Sequence, residues 1–161
     1  MKKDLVIFDF DATLMNTPEQ AEGMLVWKEK TGNEYPHIGW WSRPESLDMS
    51  VFDIKPNLDV LEDYFKHKES DDTICLVTGR IKKLEPIVKS ILDRYDLTFN
   101  GGVYCKTGGK DTLDFKSNLF KSMIENNDYR SITIYEDRFE HVKSFDQWIK
   151  TLDIPGKVVF V

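Results

Sequence analysis

The sequence predicts an α/β fold, a parallel sheet with helices on both faces. Short apolar runs alternate with longer amphipathic stretches, and the runs are continuously apolar, as strands buried on both sides must be. Residues able to carry chemistry fall just after those runs. At 161 residues the chain can bury one substantial core. No repeat, low-complexity stretch or linker divides it, so residues 1–161 read as a single domain.

Leu5-Val-Ile-Phe8 reads as a buried strand, β-branched and aromatic and ended by acids. Pro18 to Lys30 reads as a helix, with Thr17 as N-cap, Pro18 in the first turn and Gly32 as the stop. Asn33 to Pro56 is irregular, aromatic and short, a small insertion that leaves the site open. Asn57 to Lys68 is a second helix, with Leu58, Leu61, Tyr64 and Phe65 at helical spacing. Ile74-Cys-Leu-Val77 is the next buried strand. Ile81 to Tyr95 is helical, provided that Pro86 lies in the first turn. Leu97–Phe99 and Val103–Cys105 read as short strands around the Asn100-Gly101-Gly102 turn. Thr112–Asn126 is a helix, Ser131–Tyr135 a strand, Arg138–Leu152 a helix and Lys157–Val161 a last strand, its partner left open.

Hydrophobic residues at 40% and charged residues at 31% exclude disordered and fibrous classes. A net charge of −6 argues against an extended nucleic-acid groove, but not against a site that grips one terminal phosphate. Cys75, inside an apolar run, reads as a small buried hydrophobe, and with only Cys105 beside it no disulfide framework or zinc spacing arises. Asp9 and Asp11 interrupt the N-terminal apolar run, and no run reaches membrane-spanning length, so a cytoplasmic location is expected.

Ligands of open parallel sheets bind beyond the carboxyl ends of the strands. Asp9 and Asp11 follow the first strand, Thr78 and Arg80 the second, and Glu136 and Asp137 the Ser131–Tyr135 strand. Each acidic pair alone reads equally well as a polar strand end or helix cap. Such residues at three strand ends make coincidence a poor explanation. Crowded carboxylates need a cation, and an all-oxygen ligand set selects a hard one such as Mg²⁺.

Val6-Ile-Phe-Asp9-Phe-Asp11-Ala-Thr13-Leu14 resembles the first motif of the haloacid-dehalogenase (HAD) superfamily, an apolar run followed by DxDxT. Leu76-Val-Thr78-Gly-Arg80 resembles the second motif, Lys116 the third-motif lysine, and Tyr135-Glu136-Asp137-Arg138 the acidic fourth. Gly39-Trp40-Trp41 with Pro44, Thr112 with Phe115-Lys116, and His141 with Phe145 are similar to the branch named after "Swiss Army Knife" RNA-repair proteins. The resemblance implies a three-layer Rossmann-like fold and a Mg²⁺-dependent phosphatase. Asp9 would be the nucleophile, Asp11 the general acid/base, and Thr78 and Lys116 the holders of the phosphoryl oxygens. Asp9, Asp11, Asp137 and Glu136 would hold the metal, with Asp137 the safer ligand of the last two. Two departures stand out: Ala12 replaces the commoner Gly, and Glu136 precedes Asp137 where many relatives carry Asp or Gly. Lys106 and Lys110 compete with Lys116 but sit around a Gly-rich turn.

Arg80 and Arg138 suit bidentate phosphate contacts, the alternative for each being a salt bridge to a site carboxylate. His141 shares a helix face with Arg138. Trp41 is a candidate base-stacking residue, although Trp40 and Trp41 equally well anchor an irregular segment by burial. His37 and His67 read as surface histidines. The expected substrate is a phosphomonoester on a nucleotide or nucleic-acid end. The alternative is a protein of this fold that binds a phosphorylated nucleotide without turnover.

Overall fold

Side chains of successive strand residues point to opposite faces, and in the first strand both faces are apolar. Val6 and Phe8 join one core while Leu5 and Ile7 join another. A strand of that kind belongs in the middle of a sheet with cover on both sides.

The computed structural model describes residues 1–161. Along the chain run β1 (Asp4–Phe8), β2 (Met15–Asn16), α1 (Gln20–Thr31), β3 (Lys55–Pro56), α2 (Leu58–Glu69) and β4 (Thr73–Ile81). Then follow α3 (Glu85–Arg94), β5 (Gly102–Lys106), α4 (Thr112–Asn126), β6 (Ser131–Glu136), α5 (Phe139–Ile149) and β7 (Gly156–Phe160). The main sheet has the order β5-β4-β1-β6-β7, and each pairing is parallel. On one face α2 and α3 contribute Val60, Tyr64, Val88, Ile91 and Leu92. On the other, α4 and α5 contribute Phe120, Met123, Phe145 and Ile149. The result is the expected three-layer Rossmann-like arrangement. β7, whose partner the sequence left open, pairs with β6 of the same chain.

Four expectations need correction. Thr17 does not cap α1: Glu19 holds the cap position without a side-chain bond, and the Thr17 hydroxyl bonds Asp11 instead. β4 runs past Val77 to Ile81 because its register to β5 shifts between Thr78 and Ile81, a bulge of the kind that re-aims side chains beside a site. Only a 3-10 turn, Lys82–Leu84, then precedes α3, which keeps Pro86 in its first turn. Leu97–Phe99 forms no strand. The Asn100 amide accepts from Ile74 N at 2.7 Å and donates to Asp72 O at 2.9 Å, occupying the edge of β4 until β5 arrives parallel to it.

The Asn33–Pro56 segment packs into the first core through Trp40, Leu47, Val51, Phe52 and Ile54, and ends in β3, antiparallel to β2. The Trp40 indole lies so close over Gly23 of α1 that an added Cβ there would meet its ring carbons at 2.2–2.3 Å. Its N–H donates to Pro18 O at 3.2 Å. Trp40 is therefore a core residue, and the two tryptophans part company. Trp41 lines a cavity at the carboxyl ends of the strands.

Candidate active site

That cavity, about 460 Å³, opens beyond β1, β4 and β6 and is walled by α4 and α5. Lys116, from the second turn of α4 and only 2% exposed, reaches its floor. Its ammonium donates to Asp9 Oδ1 at 2.8 Å and to Glu136 Oε2 at 2.8 Å. Burial opposes the charge on Lys116, but Asp9 and Glu136 outweigh it and raise the pKa above the ordinary lysine value. Neither Lys106, at the cavity wall, nor Lys110 makes this contact. Thr13, the Thr of DxDxT, donates to Asp9 Oδ2 at 3.1 Å and to Asp137 Oδ1 at 3.2 Å. Residues from the ends of β1 and β6 and from α4 are thus tied into one cluster.

Asp9, Glu136 and Asp137 each present a carboxylate oxygen within 4.8 Å of the others. Three acids face one ammonium. Asp137 registers the surplus: desolvation first, then its contact with Asp9 and the charge of Glu136, push its carboxyl up to about 8. A hard divalent cation relieves such a surplus, so the donor set fits the implied metal. Glu136 is the most committed of the three. Its Oε1 accepts from Asp137 N and Arg138 N at 3.2 and 3.3 Å, and its Oε2 accepts from Lys116. Asp9, Glu136 and Asp137 are the carboxylates that could hold such an ion, and Glu136 is also the one that ties Lys116 in place.

The Asp11 side chain, expected among the metal carboxylates, lies outside that cluster. Arg80, in the β4 bulge and 2% exposed, donates from Nε to Asp11 Oδ2 at 2.9 Å and from Nη2 to Oδ1 at 2.7 Å. Thr17 adds a bond to Oδ1 at 2.7 Å. The Nη1 of Arg80 serves Trp41 O at 2.9 Å and Ser46 Oγ at 2.6 Å. The Arg80 guanidinium, expected on substrate phosphate, lines the cavity and also ties Asp11 to the insertion. Sequence reasoning weighed this salt bridge as the alternative, but it read Thr17 as a helix cap and gave Ser46 no role at the site.

Thr78, expected to hold a phosphoryl oxygen, is 0% exposed at the β4 bulge, and its hydroxyl accepts from Arg80 N at 3.1 Å. Trp41 and Arg138 do line the cavity, the Trp41 ring lying under the Arg80 guanidinium with 5.0 Å from centroid to carbon. Arg138 sits exposed at the start of α5. His141 lines the same wall at 8% exposure, and its Nδ1 has no partner. Burial, then the Lys116 and Arg138 charges, push its pKa down to about 4, so the ring is neutral near pH 7. Neither of the remaining histidines is a plain surface residue. His37 bonds Glu45 at 2.8 Å, and His67 bridges Asp72 and the Tyr135 hydroxyl at 2.9 and 3.1 Å.

The structure of the Pnkp1/Rnl/Hen1 complex superposes with a TM-score of 0.64 and 16% identity over 99% of this chain and 46% of that chain. A phospho-aspartyl intermediate analogue of phosphoserine phosphatase superposes with a TM-score of 0.55 and 16% identity, covering 91% of this chain and 83% of that one. At that identity the likeness is one of fold. The uncharacterized protein YMR265C of Saccharomyces cerevisiae is 27% identical over 175 residues, 94% of this chain. The chain spans 38% of that relative's length. The model of HAD domain family 1 in Swiss Army Knife RNA repair proteins matches residues 22–159, which take in Lys116, Glu136 and Asp137. With the DxDxT segment just before the match and folded onto the same site, the chain belongs to this family of HAD domains.

Proposed function

We propose that residues 1–161 form one catalytic domain, a Mg²⁺-dependent phosphatase that hydrolyses a phosphomonoester on a nucleotide or nucleic-acid end. The observation that carries the reading is the convergence of Asp9, Lys116, Glu136 and Asp137, distant in sequence, on one cavity floor. Asp9 attacks phosphorus in line, forming an aspartyl-phosphate as the ester P–O bond breaks. Asp11 gives its proton to the leaving oxygen, then takes one from the water that attacks the aspartyl-phosphate and releases phosphate. Lys116 offsets charge beside Asp9 throughout. A Mg²⁺ ion held by Asp9 and Asp137 would add neutralisation of the phosphoryl oxygens. The substrate class draws on the family's description, which names RNA repair. Lys106, Arg138 and the Trp41 ring at the cavity wall suit an anionic, base-bearing substrate.

One observation favours a second reading, capture of a phosphorylated nucleotide without turnover. Both Asp11 oxygens are already engaged, so proton transfer requires one to leave Arg80 or Thr17. Incubation with an aryl phosphate and Mg²⁺, followed by nucleotides and oligonucleotide 3′- and 5′-phosphates, separates the two. Phosphate release that vanishes in Asp9→Asn supports the enzyme. Tight nucleotide binding with no release from any substrate supports the binder.

A further inference from the structure

The Arg80 guanidinium donates four bonds within the chain, and they divide evenly between two partners. Nε and Nη2 carry the fork on Asp11, at 2.9 and 2.7 Å. Nη1 carries the bonds to the insertion, to Trp41 O at 2.9 Å and to Ser46 Oγ at 2.6 Å. A guanidinium is planar and rigid, so whatever holds Nη1 also sets where the Asp11 carboxylate stands. The hold matters when Asp11 takes up a proton. A protonated carboxyl gives up one bond of the fork, and a guanidinium tied to Asp11 alone would then be free to turn.

Ser46 gives that hold a fixed origin. It is 0% exposed, within the 3-10 turn Pro44–Leu47. Its hydroxyl donates its one proton to Arg43 O at 2.7 Å, which leaves lone pairs for Arg80. Leu47 beside it and Trp40 before it are buried in the first core, so the segment that presents Ser46 Oγ is itself packed down. Of the two insertion oxygens, Trp41 O is backbone and survives substitution. Ser46 Oγ is the one that a single side-chain change removes.

We infer that Ser46 is a positioning residue for the proposed reaction: through Arg80 it holds Asp11 where its proton reaches the leaving oxygen. The inference rests on the phosphatase reading. It makes the Asn33–Pro56 insertion a strut for the acid as well as a wall of the cavity.

A misplaced acid is felt most where the leaving group most needs a proton. The test therefore measures kcat/KM on two substrates of similar size, phenyl phosphate and p-nitrophenyl phosphate. The second releases a stabilised phenoxide that departs almost unaided. Ser46→Ala is expected to lower kcat/KM on phenyl phosphate by ~10-fold, the order of one lost hydrogen bond to a charged group. On p-nitrophenyl phosphate the loss should stay below ~3-fold. Ser46→Thr, which keeps a hydroxyl, should recover most of the difference. Orthophosphate binding with Mg²⁺ present should be unchanged, since Ser46 does not line the cavity. Thermal melts confirm folding, and Ser46→Cys, close to serine in size and only a weak acceptor, replaces alanine should that variant fail to fold. A folded hydroxyl-free variant that keeps full activity on phenyl phosphate, or loses both substrates equally, overturns the inference and leaves the phosphatase reading standing. An unaltered protein that releases phosphate from no substrate takes down both.

Discussion

Arg80 holds Asp11 by two parallel bonds, Nε to Oδ2 at 2.9 Å and Nη2 to Oδ1 at 2.7 Å, from a position almost closed to solvent. A planar fork on a carboxylate fixes both distance and orientation, which a lysine cannot do. Arg80→Lys should therefore fold but misplace Asp11. We expect kcat to fall by ~100-fold with orthophosphate binding nearly intact, because in the proposed mechanism Asp11 transfers protons rather than gripping phosphate. Arg80→Ala strands Asp11, Ser46 and the Trp41 carbonyl together, and should cost about 3–5 kcal/mol of stability in denaturant titrations. Equal loss of binding and turnover in Arg80→Lys would contradict the positioning role.

The surplus of carboxylates around Lys116 predicts a linkage between metal and stability. A cation that binds only the folded state stabilises it by RT ln(1 + [L]/Kd), about 2.7 kcal/mol at one hundred times Kd. Added Mg²⁺ should raise the melting temperature of the unaltered protein. Above about pH 8, where the Asp137 carboxyl is ionised, Asp137→Asn removes one negative charge from the crowded trio, so it should melt higher than the unaltered protein without Mg²⁺ and respond little to its addition. Differential scanning calorimetry with and without Mg²⁺ reads both effects. A full Mg²⁺ response in Asp137→Asn would remove that residue from the ligand set.

Strand positions and the order of the acidic pairs were legible because continuous apolar runs have few alternatives and the ligand-binding edge of a parallel sheet is fixed by chain direction. Asp9 and Asp137 were found that way and Lys116 through the family resemblance, and both Lys116 and Asp137 come to Asp9. The parts that escaped depend on partners far along the chain. Thr17 looks like a cap until Asp11 turns towards it, and β4 looks complete at Val77 until its shifted register carries it on to Ile81. Ala12 is a partial success: it replaces the Gly usual in the resembling motif, and its φ of 54° is the left-handed conformation that Gly adopts most easily.

The two adjacent tryptophans provide a control that separates packing from recognition. Trp40→Ala empties a core position and should cost about 3–5 kcal/mol. Gly23→Ala pushes a methyl into the same indole and should cost about 1–3 kcal/mol by overpacking. Trp41→Ala removes a ring at the cavity wall and should chiefly raise KM for base-bearing substrates, by ~10-fold, with aryl phosphate little affected. Melting curves and paired KM values decide the matter. A Trp40→Ala protein as stable as the unaltered one would mean that the insertion is not anchored as described.

Away from the site, Asp4 and Arg130 give a pH dependence whose sign is fixed by geometry. Arg130 donates from Nε to Asp4 Oδ1 at 2.9 Å and from Nη2 to Oδ2 at 2.7 Å, and Ser131 adds a bond at 2.7 Å. The Arg130 bonds, working against burial, lower the Asp4 carboxyl from 3.8 to about 2. Between those values the unfolded chain binds the proton and the folded chain does not, so stability rises with pH across that window and is lost as pH falls through it. Arg130 is 62% exposed, so solvent screening reduces the contribution well below what the shift alone would give. Asp4→Asn should remove this portion of the acid sensitivity, narrowing the gap between stabilities measured by urea titration at about pH 5 and about pH 2. Because the pair ties the start of β1 to that of β6, the variant should also fray the paired ends of those strands, seen as faster amide exchange at Leu5 and Ile132. An unchanged acid profile would mean that the ion pair contributes nothing in solution and that the acid limit of the fold lies elsewhere.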